Sequence, residues 1–157
     1  DELRKEVEAR PNSAWVRFFY QYGHGEDPKR FVPGIIRSLL QGKEAKLSPG
    51  GQKRDYLHVD DVASAVVDVA ESKVTGCVNV GSGNAPSVRE IASTIGELTG
   101  RSDLLRFGAV PYWAGEPMLI VAKNDKLRST GWKPKKTLRA GLEETITWWR
   151  GELAEGR

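Results

Sequence analysis

Five side chains able to do chemistry stand close together in the stretch "QKRDYLHVDD" at positions 52–61: Arg54, Asp55, His58, Asp60 and Asp61. An arginine suits anion binding, because its planar fork engages two oxygens at once. Neighbouring carboxylates could share acid–base work, and a histidine among them could ligate a metal. The last two readings have plainer competitors. An apolar-patterned segment follows, so Asp60 is expected to cap a helix over 61–72, and Asp61 to meet the positive end of its dipole. Val62, Ala65, Val66, Val69 and Ala70 would form that helix's buried face. No second histidine or cysteine lies at ligand spacing from His58, and His24 sits alone in a glycine-flanked loop, so no metal site is expected. Arg54 is left as the residue aimed at an anion.

Those residues need a scaffold. The run "AWVRFFY" (14–20) is short, apolar, and rich in aromatic and β-branched residues, which predicts a strand covered on both faces in a parallel sheet. "FVPGIIRSLLQG" (31–42) predicts a helix with Pro33 in its first turn and Gly42 past its end, its stripe being Ile35, Ile36, Leu39 and Leu40. "YLHV" reads as a short strand leading into the helix of the second half of the opening stretch. "TGCVNVGSGNAPSVREIASTIGELTG" (75–100) predicts strand, turn and helix, the helix opened by a Ser87/Glu90 capping box and stopped by Gly100. Gly81 and Gly83 invite comparison with a dinucleotide-binding turn. Pro86 occupies the third glycine position and no strand with a terminal acid follows, so a sharp turn is the better reading. A short strand in "MLIVA", a short helix around Leu127 and a last helix complete the chain. Thr137 caps that helix, and Leu138, Leu142, Ile146 and Trp149 line it.

The 157 residues carry 39% hydrophobic content and a net charge of +3, enough for a core without disulfides. The single cysteine, Cys77, reads as a buried small hydrophobe, and a cytoplasmic location is expected. No apolar run approaches a membrane span, so no membrane partner is expected. Seven basic residues against one acidic in 123–139 suggest nucleic acid, but one aromatic, Trp132, is no stacking series. A solvated loop is the better reading there. "DELRKEVEAR" reads as the end of a helix already under way, so the natural polypeptide is expected to begin upstream.

Taken in order, Arg17-x-Phe19-x-x-Tyr22-Gly23, "RFVP", "QKRDYLHVDDVA", "VNVGSG", "YWAGEP" and "GWKP" resemble the NAD(P)-dependent nucleotide-sugar epimerases, dehydratases and 4-ketoreductases of the extended short-chain dehydrogenase/reductase superfamily. The resemblance runs from about residue 14 to residue 150, and it implies their C-terminal half. The fold implied is α/β: the last strands of a Rossmann-type parallel sheet and a small mixed α/β substrate-binding lobe. The cofactor implied is NAD or NADP, held mainly by an N-terminal half outside this chain. The partner implied is a nucleotide-diphosphate sugar, with a homodimer at full length.

That family uses a Gly-x-x-Gly-x-x-Gly turn for the cofactor and a Tyr-x-x-x-Lys pair for proton chemistry, and the 157 residues contain neither. No catalytic residue is therefore expected here. Carried over by position, Arg54 matches the diphosphate-binding arginine. "RFVP" makes Arg30 a second phosphate candidate and sets Phe31 and Val32 against the nucleoside. Ala45 and Leu47 match a strand lining the base, and Glu116 matches an acid taking ribose hydroxyls. Two departures stand out: Trp113 replaces an arginine common in relatives, and Tyr20 replaces an asparagine that faces the sugar. The resemblance implies part of an enzyme acting on a nucleotide-activated hexose. The alternative is a non-catalytic nucleotide-sugar-binding module, or a partner docked on a separate Rossmann chain.

Overall fold

The computed structural model describes residues 2, 5, 6, 9, 10 and 12–156, so the helix expected within 1–10 lies largely outside the described residues. Strand β1 (Ala14–Phe18) is followed at once by β2 (Tyr20–Tyr22). Helix α1 (Phe31–Leu40), β3 (Ala45–Leu47), β4 (Lys53–Arg54) and β5 (Tyr56–His58) lead to α2 (Val59–Glu71). Strand β6 (Gly76–Val80), α3 (Val88–Thr99), a 3-10 turn at Ser102–Leu104, β7 (Leu105–Phe107), β8 (Leu119–Ile120), α4 (Asp125–Arg128) and α5 (Leu138–Ala154) follow.

Four strand pairs form, β1 with β6, β2 with β5, β3 with β7 and β4 with β8, and each is parallel. The α/β class and the parallel pairing are as the sequence predicts. The single strand expected over 14–20 is two, because the chain shifts partner at Phe19, whose amide bonds the Val80 carbonyl at 3.0 Å. Nor is it covered on both faces: Phe18 and Tyr20 are exposed.

Two cores hold these elements. One joins α1, α3 and α5 around Ile36, Leu39, Ile91, Ile95, Leu142 and Ile146. The other sets Val62, Ala65 and Val69 of α2 against Val78, Val80, Leu127 and Trp132. Val66 and Ala70 fall on the exposed side of α2, correcting their predicted burial, because the helix turns only Val62, Ala65 and Val69 into its core. Cys77 is half-buried, one alternation out of phase with buried Val78.

Local capping follows sequence closely at two helices. The Ser87 hydroxyl accepts from the Glu90 amide at 3.1 Å and the Glu90 carboxylate accepts from the Ser87 amide at 2.7 Å, completing the capping box. Gly100 ends α3 in the left-handed conformation. Thr137 accepts from the Ala140 amide at 3.2 Å at the start of α5. Helix α2 departs from expectation: His58, not Asp60, is its N-cap, its ring Nδ1 accepting from the Asp60 amide at 3.3 Å. The two aspartates sit inside the first turn, where the dipole still favours them.

Among the described residues, no helix is long and apolar enough to cross a membrane. The basic segment 123–139 is largely engaged by the fold. Trp132 is buried, its indole donating to the Ser64 hydroxyl at 3.0 Å. Arg139 pairs with Glu97 at 2.9 Å, and Lys126 donates to the Thr75 carbonyl at 2.9 Å.

Candidate functional site

Strand β2 ends in a glycine-rich turn, and the following loop returns through Arg30 into α1, leaving an open cleft of about 820 Å³ above β2 and β5. Tyr20, Glu26, Arg30, Phe31 and Tyr56 line it, with Arg17 and Ile120 at its margins. The period of two along β5 puts Tyr56 on the cleft side while Leu57 enters the core. Tyr56 stacks at 5.3 Å from Tyr20 and 6.0 Å from Phe31, ring centre to ring centre, so three aromatic rings form one wall. Phe31 serves both wall and core.

Arg54 enters from β4. Its backbone is fixed between β8 and the segment preceding α3, through Arg54 N to the Pro86 carbonyl at 3.1 Å and Asp55 N to the Ile120 carbonyl at 3.0 Å. The side chain is buried, and its guanidinium carbon lies 5.9 Å from the Tyr20 ring centre. One terminal nitrogen donates to the Lys53 carbonyl at 2.8 Å, and the other bonds the Glu116 carboxylate. The structure thus brings Arg54, Glu116 and Tyr20 together; Tyr20, Arg30 and Phe31 line the cleft, and the buried Arg54 adjoins it through the Tyr20 ring. It does not bring Val32, Ala45 or Leu47 there. Val32 has no accessible surface and belongs with Ala45 and Leu47 to the α1/α3/α5 core, a correction to the expected nucleoside contact of Val32. Trp113 is exposed on the loop that carries Glu116.

The other charges of the opening stretch do structural work. Asp55 is fully buried and accepts from Ser82 N at 2.8 Å, Ser82 Oγ at 2.6 Å, Gly83 N at 2.9 Å and Ala122 N at 3.0 Å. The turn amides that a phosphate-cradling loop would offer are therefore already taken by a carboxylate. A Cβ on Gly81 would lie 2.5 Å from the Ala122 Cβ and 2.9 Å from Asp55 Oδ2, so the close approach there leaves no room for a side chain. Asp61 is buried too, accepting from Lys135 N at 2.9 Å and Lys136 N at 3.1 Å, and so pins the segment before α5.

His58, Asp60 and Glu144 approach within metal-ligand range of one another. The cation among them is the Lys136 ammonium, which bonds Asp60 at 2.8 Å and also bonds Glu144. Burial first, and then the nearby Lys136 charge, push the His58 pKa down, so the ring is held neutral.

The sequence reading missed Glu26, Tyr56 and Arg17 as cleft residues. Burial pushes the Glu26 carboxyl up to about 7, although Arg30 works against this. Burial likewise pushes Tyr56 far above an ordinary tyrosine, with Glu26 adding to it. The loop motif "GHGEDP" after an aromatic strand was the available signal.

Residues 6–81 match the model of the NAD dependent epimerase/dehydratase family. The chain is similar to CDP-abequose synthase of Salmonella typhimurium, 31% identical over 138 residues, spanning 83% of this chain and 46% of that protein. It is similar to GDP-L-fucose synthase 1 of Arabidopsis thaliana, 36% identical over 102 residues, spanning 64% of this chain and 31% of that protein. UDP-glucose 4-epimerase from Thermotoga maritima, solved with UDP-glucose, superposes with a TM-score of 0.82 at 27% identity, covering 89% of this chain and 46% of that one. MoeE5, solved with UDP-glucose and NAD, superposes with a TM-score of 0.80 at 32% identity, covering 93% of this chain and 51% of that one. The chain spans about half, or less, of the length of these proteins.

Proposed function

Because this chain belongs to the NAD dependent epimerase/dehydratase family, we propose that it is the nucleotide-diphosphate-sugar-binding portion of an NAD(P)-dependent sugar epimerase, dehydratase or 4-ketoreductase. The carrying observation is Arg54, a buried guanidinium anchored by Glu116 beside the aromatic wall of the cleft.

In this reading Arg54 keeps its bonds to Lys53 and Glu116 and turns its remaining N–H donors on the diphosphate. A guanidinium has five, so the anchor does not exhaust it. Arg30, exposed at the cleft rim, supplies a second positive charge. The wall of Tyr20, Phe31 and Tyr56 packs against the apolar faces of the nucleotide sugar and excludes water, which strengthens both charge pairs. Glu116 orients Arg54 through their ion pair.

A nicotinamide cofactor would supply the hydride acceptor and donor for chemistry at the sugar's C4. The described residues do not fit its pyrophosphate, because Asp55 already occupies the turn amides of Ser82 and Gly83. Cofactor binding and the Tyr-x-x-x-Lys proton chemistry therefore fall to residues beyond these 157, and the chain by itself should be inactive. The lack of that pair in the sequence also favours a second reading, a non-catalytic binding module.

Calorimetric titration with UDP-glucose, TDP-glucose, CDP-glucose, GDP-mannose and NAD separates these readings. Binding of one nucleotide sugar without NAD binding or turnover by the 157 residues agrees with both. Turnover by a longer polypeptide carrying the missing motifs selects the enzyme. Failure of every nucleotide sugar to bind that longer polypeptide defeats both.

A further inference from the structure

Glu26 is unusual among the acids of this fold. Its Oε2 is buried without a hydrogen-bond partner among the described residues, yet the residue lines the open cleft. Arg30, four positions on and lining the same cleft, forms no ion pair with it among the described residues. A buried carboxyl oxygen left unpaired costs free energy, and sites keep such groups where a ligand completes them.

We propose that Glu26 is a ligand-binding residue of the cleft, its neutral carboxyl donating a hydrogen bond to a phosphate oxygen that Arg30 also holds. This rests on the nucleotide-sugar reading and deepens it, since it names a proton-bearing contact to the diphosphate.

The surroundings favour the protonated form. The other ionisable groups lining the cleft are Arg17 on β1, Tyr20 on β2, His24, Asp27 and Arg30 on the loop, and Tyr56 on β5. Tyr22 also borders it, but its hydroxyl points away and donates to the Leu138 carbonyl at 3.3 Å. Arg30 favours the Glu26 carboxylate, Asp27 opposes it, and burial opposes it most. A diphosphate arriving beside Glu26 adds like charge, which disfavours the carboxylate further. Once Arg30 is engaged by phosphate, its help to the carboxylate is divided as well. Binding at neutral pH and above should therefore take up a proton. A carboxylate accepting from a sugar or ribose hydroxyl would behave oppositely, with affinity rising with pH.

The test is calorimetry on the full-length protein with UDP-glucose and CDP-glucose. Their diphosphates lack the terminal monoester that titrates near neutrality, so any pH dependence belongs to the protein. Between about pH 6 and about pH 8.5, wild-type affinity should fall about tenfold or more. Titrations in buffers of different ionisation enthalpy should show net proton uptake. Glu26→Gln, which keeps a neutral donor, should bind with little pH dependence and at least as tightly as wild type at the upper pH. Equal pH slopes in wild type and Glu26→Gln, or affinity that rises with pH, would overturn this inference while leaving the nucleotide-sugar reading intact. Absence of binding by either protein at every pH would instead remove that reading, and this one with it.

Discussion

Arg54 and Glu116, 62 positions apart, are joined by a hydrogen-bonded ion pair that is buried at the arginine and part-buried at the glutamate, with the guanidinium beside the ring of Tyr20. The pair ties β4 to the loop ahead of β8, so one arginine serves stability and recognition together. Those roles separate by mutation. Arg54→Ala removes one or two charge-assisted bonds to a diphosphate, each worth roughly 1.5 to 3 kcal/mol, so nucleotide-sugar affinity should fall about tenfold to a hundredfold or more. Arg54→Lys should recover part of this, lacking the fork. Arg54→Ala also strands Glu116, so stability should fall by about 3 kcal/mol. The double variant Arg54→Ala/Glu116→Gln should regain stability but not affinity. Calorimetry and urea unfolding on the same samples check both halves, and affinity restored in the double variant would count against a phosphate-binding Arg54.

Asp55 should be the costliest aspartate to lose. Asp55→Ala leaves four donors without their acceptor, and at about 1 to 3 kcal/mol for each buried unsatisfied group the loss should exceed about 4 kcal/mol. Asp55→Asn keeps one acceptor oxygen and should fall between the two. Urea unfolding measures the series. A loss under about 1 kcal/mol for Asp55→Ala would mean that the Gly81–Gly83 turn is held by something else.

Much of this was legible in the sequence because it is local. The capping box of Ser87 and Glu90 and the Thr137 cap depend on neighbours a few residues apart, and the structure has both. What was not legible depends on long-range contact. Asp55 reads like any loop aspartate until Ser82 and Ala122 arrive 27 and 67 positions later. Asp60 has the right type for a cap, but β5 delivers His58 to that position and Lys136 claims Asp60. Of the expected site, Tyr20, Arg30 and Phe31 line the cleft, and Arg54 with its partner Glu116 lies next to Tyr20. Val32 does not, since an apolar residue one step along a helix turns by about 100° and the core took it.

Gly141 marks a close crossing of α5 over β2. A Cβ there would collide with the Tyr22 hydroxyl and approach His58 Cδ2 at 3.0 Å. Gly141→Ala should therefore lower stability by about 1 to 3 kcal/mol, despite the better helix propensity of alanine. Adding Tyr22→Phe removes the colliding oxygen, at the loss of its bond to Leu138, and should return part of the stability. A double-mutant cycle from urea unfolding reads the coupling, and strict additivity would place the strain elsewhere.

Two groups should make stability depend on pH in opposite senses. His58 has its pKa pushed below the ordinary histidine value of 6.5, because burial and Lys136 penalise the charged ring. Its Nδ1 also accepts from the Asp60 amide, a bond lost on protonation. Just below pH 6.5 the unfolded chain binds a proton that the folded one refuses, so this term weakens the fold as pH falls. Asp60, lowered by its bonds to Lys136 and His24, adds a second acid loss once pH drops through its folded value below 3.8. Glu26 works the other way. Its pKa is raised from 4.5 to about 7, so the folded state holds the extra proton and stability falls as pH rises across that window. The wild type should thus show a shallow profile between about pH 5 and about pH 7. Glu26→Gln should unmask a rise in stability with pH, and His58→Asn, which keeps a capping oxygen, should unmask a fall. Urea midpoints at a few pH values test this directly. Parallel profiles for all three proteins would mean that neither group has a folded-state pKa displaced from its unfolded one.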